Sequence, residues 1–214
     1  MNQYQQDFID FAISKDVLKF GEFKLKSGRL SPYFFNTGLF NDGESLQRLG
    51  EYYSASIIDS GVSFDMLYGP AYKGIPLVST LAISLNLHHG RSVPFCFNRK
   101  EEKDHGEGGV ILGAPLKNKV LIIDDVITAG TSINESMQLI QNANAMASGV
   151  VIAVDRQERG TGEFSAIQEV EKRHNIPVIS IINLDLLIEY IENNDQFSRY
   201  LNDIWKYREN YGIN

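Results

Sequence analysis

Two adjacent aspartates followed by a glycine- and hydroxyl-rich turn are the chemically most distinctive feature of the sequence. Asp124 and Asp125 come directly after the apolar run 120–123, and the turn 128–132 reads Thr-Ala-Gly-Thr-Ser. A glycine-containing turn that leads into a helix presents free backbone N–H groups and the positive end of the helix dipole to an anion. Carboxylates beside such a turn can accept hydrogen bonds from sugar hydroxyls. The segment therefore predicts a site for a ligand that carries both a phosphate and vicinal hydroxyl groups.

Taken alone, the acidic pair has other interpretations. Adjacent acids can simply mark a solvated strand end. A nucleotide-binding P-loop is a poor description, because the chain has no GxxxxGK[ST] string and the acids precede the turn. A response-regulator receiver domain also opens with an acidic pair, and Asp155 at the end of a later strand could imitate its phosphoacceptor. The pair itself leaves the reaction open.

The surrounding elements predict an α/β fold with a mostly parallel central sheet flanked by helices. The run 120–123 is rich in β-branched residues and has no polar alternation, which is typical of a strand buried on both faces. Ligands bind at the carboxyl ends of such strands, where the acids lie. Further strands are predicted at 64–68, 93–97, 149–154 and 178–182, and helices at 3–14, 46–61, 77–85, 167–174, 184–191 and 195–208.

The helix after the turn has its own signals. Ser132 and Glu135 have the spacing of a capping box, which predicts a hydroxyl cap at the start of the helix. Ile133, Met137 and Ile140 recur at helical spacing and predict the face that packs on the sheet.

Two segments depart from the alternation of strands and helices. Residues 17–40 alternate apolar and polar side chains around a turn at 27–29, which predicts short antiparallel strands, a small N-terminal hood. Residues 99–109 are the most polar and glycine-rich interval and predict a mobile loop that closes over a bound substrate, although their mixed charges fit an ordinary solvated loop equally well. The whole chain, 1–214, is predicted to form a single domain.

Composition narrows the classes of function. The chain has 214 residues, of which 43% are apolar, enough to build one good core. Its net charge of -7 argues against a general affinity for nucleic acid or anionic membranes. No apolar run approaches the roughly 20 residues of a bilayer span, and no secretion signal is recognisable, so a cytoplasmic protein is expected. The single cysteine, Cys96, excludes an internal disulfide and a cysteine-based metal site.

The string VLIIDDVITAGTS at 120–132 resembles the phosphoribosyl-diphosphate-binding signature of the type I phosphoribosyltransferases. In that family the two acids lie near the ribose hydroxyls and the following loop wraps the 5-phosphate, the same division of roles that the residue types suggest. A pyrophosphate-binding loop occurs in the family at the place of 69–74, so Tyr72 and Lys73 would face the diphosphate. The resemblance implies that the acids bind this substrate together with Val126, Ile127, Thr128, Ala129, Gly130, Thr131 and Ser132.

The polar interval resembles the catalytic loop of one branch of this family, the orotate phosphoribosyltransferases. Residues 99–109 read RKEEKDHGEGG. The resemblance implies that Arg99, Lys103 and His105 reach the diphosphate in the site of a neighbouring subunit, while Lys100 stays with its own. Cationic groups there would stabilise the negative charge that builds on departing pyrophosphate.

Two further stretches, KSGRLSPYFFN at 26–36 and DRQERG at 155–160, resemble the base-binding side of the same branch. The resemblance implies that Lys26, Phe34 and Phe35 come from the hood and that Arg156 binds orotate. Lys26 would also contact phosphoribosyl diphosphate, and Thr128 would contact orotate. A flat apolar surface and a guanidinium suit a planar carboxylate ligand.

Together these resemblances imply a homodimeric, Mg²⁺-dependent enzyme that transfers ribose 5-phosphate from phosphoribosyl diphosphate to N1 of orotate, a step of pyrimidine nucleotide biosynthesis. Mg²⁺ would be held mainly by the diphosphate and ribose hydroxyls, close to Asp124 and Asp125, and these acids with Lys103 and His105 would be catalytic. One alternative is a purine phosphoribosyltransferase, which Arg156 and the paired phenylalanines disfavour. Another is a nucleic-acid-binding regulator that senses the same ligand, which the acidic balance disfavours; neither nucleic acid nor membrane is an expected partner.

Overall fold

A six-stranded sheet forms the centre of the molecule. The computed structural model describes residues 1–25, 27–103, 109–128, 130–160 and 162–213, with the side chains of 102 and 103 outside that description. In chain order the strands are β1 (Leu18–Lys24), β2 (Leu30–Phe35), β3 (Met66–Gly69), β4 (Phe95–Lys103), β5 (Gly109–Gly113), β6 (Lys119–Ile123), β7 (Met146–Asp155) and β8 (Val178–Asn183).

The sheet confirms the predicted fold class. Its order is β5-β4-β3-β6-β7-β8, and every neighbouring pair is parallel except β4 and β5 at one edge. β1 and β2 form a separate antiparallel pair, the predicted hood. β6, which carries the acidic pair at its end, lies in the middle of the order, so ligand-binding segments can flank it on both sides.

Helices cover both faces of the sheet. The predicted first helix is confirmed at its predicted bounds, whereas the predicted helix 195–208 is wrong in its first part, because residues 198–200 form a 3-10 turn before the last helix. No described helix is both long enough and apolar enough to cross a bilayer. The helices are α1 (Gln3–Ser14), α2 (Gly43–Ser60), α3 (Gly74–His89), α4 (Thr131–Asn142), α5 (Ala166–His174), α6 (Leu184–Glu192) and α7 (Leu201–Tyr211).

The apolar run of β6 is fully buried, as predicted. Leu121 and Ile123 belong to the cluster shared with α2 and α3, whereas Val120 and Ile122 belong to the cluster beneath α4. Burying one such side chain contributes roughly 1.5–3 kcal/mol relative to leaving it exposed. The predicted face of α4 is confirmed as well, since Ile133, Met137 and Ile140 are buried in the same cluster. β6 is therefore fixed from both sides, and the acids at its end have a rigid support.

The prediction of a loop over 99–109 is wrong for the residues of that interval that the structure describes, which are 99–103 and 109. Residues 99–103 continue β4, and Gly109 begins β5, which pairs with β4 in the antiparallel sense. Phe97 pairs with Leu112 and Asn98 with Ile111, which shows that the apolar residues after the glycines supply the partner strand. Residues 104–108, including His105, lie outside the described part, and their closure over a substrate stays a prediction.

Candidate active site

Asp124 and Asp125 lie at the carboxyl end of β6 and are nearly buried, with 7% and 6% of their surfaces exposed. The Asp124 carboxylate accepts hydrogen bonds from Ser132 Oγ at 3.1 Å and from the backbone N–H of Asp125 at 2.9 Å. The Tyr53 hydroxyl donates to the Asp124 carbonyl at 2.8 Å. Burial raises the pKa of Asp124 to about 6. Asp124 is therefore held by neutral donors.

Asp125 has different partners. Its Oδ2 accepts from Lys73 Nζ at 2.6 Å and from Thr37 Oγ1 at 2.6 Å, and Lys73 Nζ also lies 3.2 Å from Thr37 Oγ1. The structure thus brings together the acid predicted for the ribose side and the lysine predicted for the diphosphate side. The Lys73 side chain is 62% exposed, so its ammonium can turn towards a ligand.

A cavity of about 250 Å³ lies between the end of β6 and the start of α4. The residue before α4, Gly130, has a φ of 69°, and α4 begins with no side-chain cap among the described residues. The first N–H groups of a helix have no intrahelical partner and can bind an anion. The cavity is lined by Asp124, Val126, Ile127, Thr128, Gly130, Thr131, Ser132 and Ile133, whereas Ala129 lies outside the described residues.

The predicted capping box of α4 is wrong. Ser132 lies inside the first turn, after Gly130 has already turned the chain with its positive φ, and its hydroxyl donates to Asp124 instead of accepting from a backbone N–H of the helix. The consequence is favourable for binding, because the N–H groups at the start of α4 stay available on the wall of the cavity.

The turn 70–73 lies between the ends of β3 and β6 in direct backbone contact with both. A Cβ atom on Gly69 would lie 2.2 Å from the carbonyl oxygen of Gly74, and one on Gly74 would lie 2.9 Å from the carbonyl oxygen of Ile123. Asn98 of β4 accepts from the Ala71 N–H at 2.7 Å. Three strand ends therefore meet at the predicted pyrophosphate-binding loop.

Besides Lys73, two of the cations that were predicted to contact the diphosphate are described in full. Lys100 lies on β4 with its Nζ 5.4 Å from the centre of the exposed Tyr72 ring. Arg99 precedes it, and its buried Nε has no hydrogen-bond partner among the described residues. Lys26, the Lys103 side chain and His105 lie outside the described residues, so their predicted roles stay predictions.

The predicted base side is built around Arg156, just after β7. Its Nε donates to Glu158 at 2.6 Å, its Nη2 donates to Ser31 Oγ at 3.0 Å, and its guanidinium carbon lies 4.2 Å from the centre of the Tyr33 ring. Arg29 of the hood adds a contact to Glu158 at 3.7 Å. Arg156 thus ties the hood to the main sheet through Ser31 and Tyr33, and Glu158 does so through its ion pair with Arg29.

The two phenylalanines predicted for the base side differ in their surroundings. Phe34 is exposed on the hood and stacks against Phe23 with ring centres 5.5 Å apart. Phe35 packs against the main core, with its ring centre 6.1 Å from that of Phe8. Phe34 is accordingly the one of the two whose ring has a free face of the kind a planar base needs.

Several polar residues of the site had no sequence signal. Thr37, Tyr53, Asn98 and Ser31 each bond to a predicted site residue or its turn from segments far away in the chain, and Glu158 bonds to Arg156 from two residues later. Thr37, Tyr53, Lys73 and Asp125 also line a second cavity, of about 140 Å³, whose other walls are mostly apolar. Only the alternation of the hood strands could have suggested where Ser31 and Thr37 would lie.

The side chains that could coordinate a metal show whether the site fits the predicted Mg²⁺. The described residues contain no group of three or more His, Cys, Asp or Glu side chains that could hold a metal by themselves. Asp124 lines the cavity beside α4 and Asp125 lines the second cavity, so the end of β6 offers two neighbouring carboxylates. Mg²⁺ in proteins is commonly bound by one or two carboxylates together with substrate phosphates and water, so these residues fit an ion that arrives with a phosphorylated ligand.

Comparison with known proteins agrees with this geometry. A sequence model of the phosphoribosyl transferase domain matches residues 39–175. The chain is 58% identical, over the full length of both proteins, to the orotate phosphoribosyltransferases of Klebsiella pneumoniae (strain 342) and of Pseudomonas syringae pv. tomato. The crystal structure of the orotate phosphoribosyltransferase from Francisella tularensis is similar, with 46% identity, a TM-score of 0.89, and coverage of 96% of this chain and 99% of that one.

Proposed function

Because the chain belongs to the phosphoribosyltransferase family and, within it, to the orotate phosphoribosyltransferases, we propose that it transfers ribose 5-phosphate from phosphoribosyl diphosphate to N1 of orotate. The products are orotidine 5'-phosphate and pyrophosphate, and the step belongs to pyrimidine nucleotide biosynthesis. The observation that carries the proposal is the end of β6, where the buried Asp124 carboxylate lines a cavity with the start of α4 and the buried Asp125 carboxylate lies next to it, on the second cavity. The carboxylates can accept hydrogen bonds from sugar hydroxyls, and the N–H groups at the start of α4 can bind a phosphate.

In this mechanism the end of β6 holds the sugar. The 5-phosphate lies against the N–H groups of residues 130–133, and the ribose hydroxyls donate to the Asp124 and Asp125 carboxylates. As the C1–O bond breaks, positive character develops on the ribose ring, as in glycosyl transfer generally. The two carboxylates favour that charge, and their hydrogen bonds to Ser132 and Thr37 hold them in position while it develops.

The leaving pyrophosphate is held by cations. Lys73 exchanges its contact with Asp125 for the diphosphate, and Lys100 approaches from β4 beside Tyr72. Arg99, Lys103 and His105 are proposed to act on the diphosphate in the partner's site. Bound Mg²⁺, held near Asp124 and Asp125, would neutralise charge on the diphosphate and make it a better leaving group.

The base lies between the hood and the end of β7. Arg156 meets the orotate carboxylate, and Phe34 and Phe35 with Lys26 bound the plane of the ring from the hood. The Arg156 contacts described above use Nε and Nη2, so Nη1 is the guanidinium nitrogen most readily offered to the ligand. Orotate is already an anion, so transfer to N1 needs no strong general base.

We further propose that the enzyme is a homodimer. Ile83 and Leu87 of α3 are apolar yet 61% and 69% exposed, and α3 directly follows the turn that carries Lys73. A second subunit on this face would cover them and bring its own Arg99, Lys103 and His105 towards the site. Since phosphoribosyl diphosphate is a multiply charged anion that does not cross a bilayer unaided, we propose a cytoplasmic location.

The proposal is tested by the loss of orotate absorbance on addition of phosphoribosyl diphosphate. Turnover is expected with Mg²⁺ and not after removal of divalent ions by a chelator, and uracil, adenine and hypoxanthine are expected to replace orotate poorly. A preference for a purine would overturn the proposed substrate.

The shared site is tested separately with mixed dimers. Lys103→Ala and Asp124→Ala proteins are each expected to be nearly inactive, and mixing their subunits should restore activity, because one site of the mixed dimer contains neither substitution. Sedimentation of the wild-type protein as a monomer would contradict the dimer.

A further inference from the structure

Thr37 lies where the hood joins the main sheet, in a 3-10 turn formed by Thr37–Leu39. The turn is fixed on its N-terminal side, because the Asn36 side chain accepts from the Gly38 N–H at 3.1 Å and the Asn36 N–H donates to the Val17 carbonyl at 2.8 Å. The Thr37 hydroxyl is therefore presented to the end of β6 from a segment that is itself anchored.

The Thr37 hydroxyl stands between two charged groups of the site. It donates to Asp125 Oδ2 at 2.6 Å and accepts from Lys73 Nζ at 3.2 Å. A hydroxyl has one proton to donate and lone pairs to accept with, so both contacts can exist at once. The same carboxylate oxygen also meets Lys73 directly, at 2.6 Å. Thr37 is thus bonded to both members of the ion pair that ligand binding has to open.

From this geometry we infer that Thr37 is a positioning residue for phosphoribosyl diphosphate, one that keeps the Asp125 carboxylate oriented for the ribose when Lys73 moves to the diphosphate. The inference rests on the proposed function.

The physical reason is the burial of Asp125. The residue is 6% exposed, so a carboxylate oxygen that lost both partners would stay desolvated and unpaired, which is costly. The Lys73 side chain is 62% exposed, so its ammonium can turn towards a ligand, whereas Thr37 is anchored. With Oδ2 kept by Thr37, Oδ1 remains for a ribose hydroxyl, and the carboxylate does not have to be reoriented in each catalytic cycle.

The experiment compares Thr37→Val, Thr37→Ala and Thr37→Ser with wild type. A hydrogen bond to a charged group is worth about 1.5–3 kcal/mol, so kcat/KM for phosphoribosyl diphosphate is expected to fall about 10- to 150-fold in the valine and alanine variants. Serine keeps the hydroxyl and should stay within about threefold of wild type. The KM for orotate is expected to change little in all three.

Thr80→Val is the matched control. The Thr80 hydroxyl makes a hydrogen bond of the same length, 2.6 Å, to the Leu46 carbonyl between α2 and α3. Its loss should lower the free energy of unfolding without changing kcat/KM for phosphoribosyl diphosphate.

Calorimetric titration with phosphoribosyl diphosphate, without orotate, gives a second measurement that does not depend on turnover. Weaker binding by Thr37→Val and Thr37→Ala, but not by Thr37→Ser, supports the inference. Wild-type affinity in the valine and alanine variants overturns it, as does an equal loss in the serine variant. Failure of the proposed function looks different, because wild-type protein would then release no pyrophosphate with orotate, whatever residue stands at position 37.

Discussion

The ends of β6 and β7, neighbouring parallel strands, both carry charged residues assigned to the substrate, but they are assembled from very different distances along the chain. At β6, Asp124 bonds to Ser132, eight residues later. At β7, Arg156 bonds to Ser31, 125 residues earlier, and its ion pair with Glu158 is joined by Arg29 of the hood. Asp124 therefore belongs to a local motif and Arg156 to a junction between hood and sheet, while the partners of Asp125, Thr37 and Lys73, lie 88 and 52 residues earlier.

This difference predicts that the charged residues at the end of β6 serve mainly activity, whereas those at the end of β7 serve mainly stability. The charges at the end of β6 line a cavity and include one nearly buried acid whose cation is largely exposed, an arrangement suited to exchange partners with a ligand. At the end of β7, Glu158 pairs with both Arg156 and Arg29 and so connects two parts of the molecule. Substitutions at β6 should therefore reduce activity and leave the fold intact, whereas substitutions at β7 should destabilise the fold.

The largest effect is expected for Asp125→Ala. The variant loses a carboxylate that is proposed to contact the ribose in the transition state, so kcat/KM should fall by about 100-fold or more. Its free energy of unfolding should change by less than about 1 kcal/mol, since the pair with exposed Lys73 contributes little to stability. Pyrophosphate release and urea unfolding measure the two quantities. Asp203→Ala, at an exposed position of α7, is the control, and unfolding of the Asp125 variant would break the comparison.

An intermediate effect is expected for Glu158→Gln. The side chains of Arg156 and Glu158 are only 23% and 15% exposed, so the substitution leaves a poorly solvated guanidinium without its counter-charge. Because the pair is partly reached by water, we expect a loss of roughly 2 kcal/mol in the free energy of unfolding, below the value for a fully buried pair. Urea unfolding measures it, with exposed Glu163→Gln as the matched control. If stability were unchanged while turnover collapsed, the end of β7 would be functional in the same sense as that of β6.

The smallest effect concerns the pH dependence of stability. Burial raises the pKa of Asp124 from 3.8 to about 6, so the folded protein keeps the proton that the unfolded chain releases. The stabilising contribution is fully present below about pH 4 and is lost as the pH rises through about 6. Asp124→Asn does not titrate and should gain about 1–2 kcal/mol relative to wild type between pH 4.5 and 7.5.

Paired urea unfolding curves of wild type and Asp124→Asn at the two pH values measure this difference. Asp203→Asn controls for the removal of one negative charge from the surface. A difference between wild type and Asp124→Asn that is the same at both pH values would contradict the role of burial.

The contrast also explains how much the sequence could predict. The strand, the acids and the turn at 120–132 are encoded within one short segment, and their cavity could be predicted from residue types alone. The same kind of local signal failed where two signals competed. The spacing of Ser132 and Glu135 favoured a capping box, but Gly130 turns the chain before Ser132, and the Ser132 hydroxyl bonds to Asp124.

Contacts between segments that are far apart in the chain, or that form only when two strands pair, could not be predicted from the sequence. β5 begins within a glycine-rich interval that favours a loop, and it becomes a strand only because β4 extends beside it. Thr37 carries no local signal either, because it acquires its role when the hood meets the sheet. The resemblance to a family predicted which residues bind substrate, and the structure adds which neighbouring residues keep those predicted residues in position.

The backbone contact among Gly69, Gly74 and Ile123 restricts how this site could be redesigned or diversified. With no room for a Cβ at either glycine, the turn that carries Lys73 cannot be moved relative to β6 by exchanging side chains. Libraries aimed at new acceptor bases should therefore leave both glycines unchanged and vary the hood, where exposed Leu30 and Phe34 tolerate new shapes. The half of the site that is proposed to bind the sugar is in this sense fixed, and the half that is proposed to select the base can be altered.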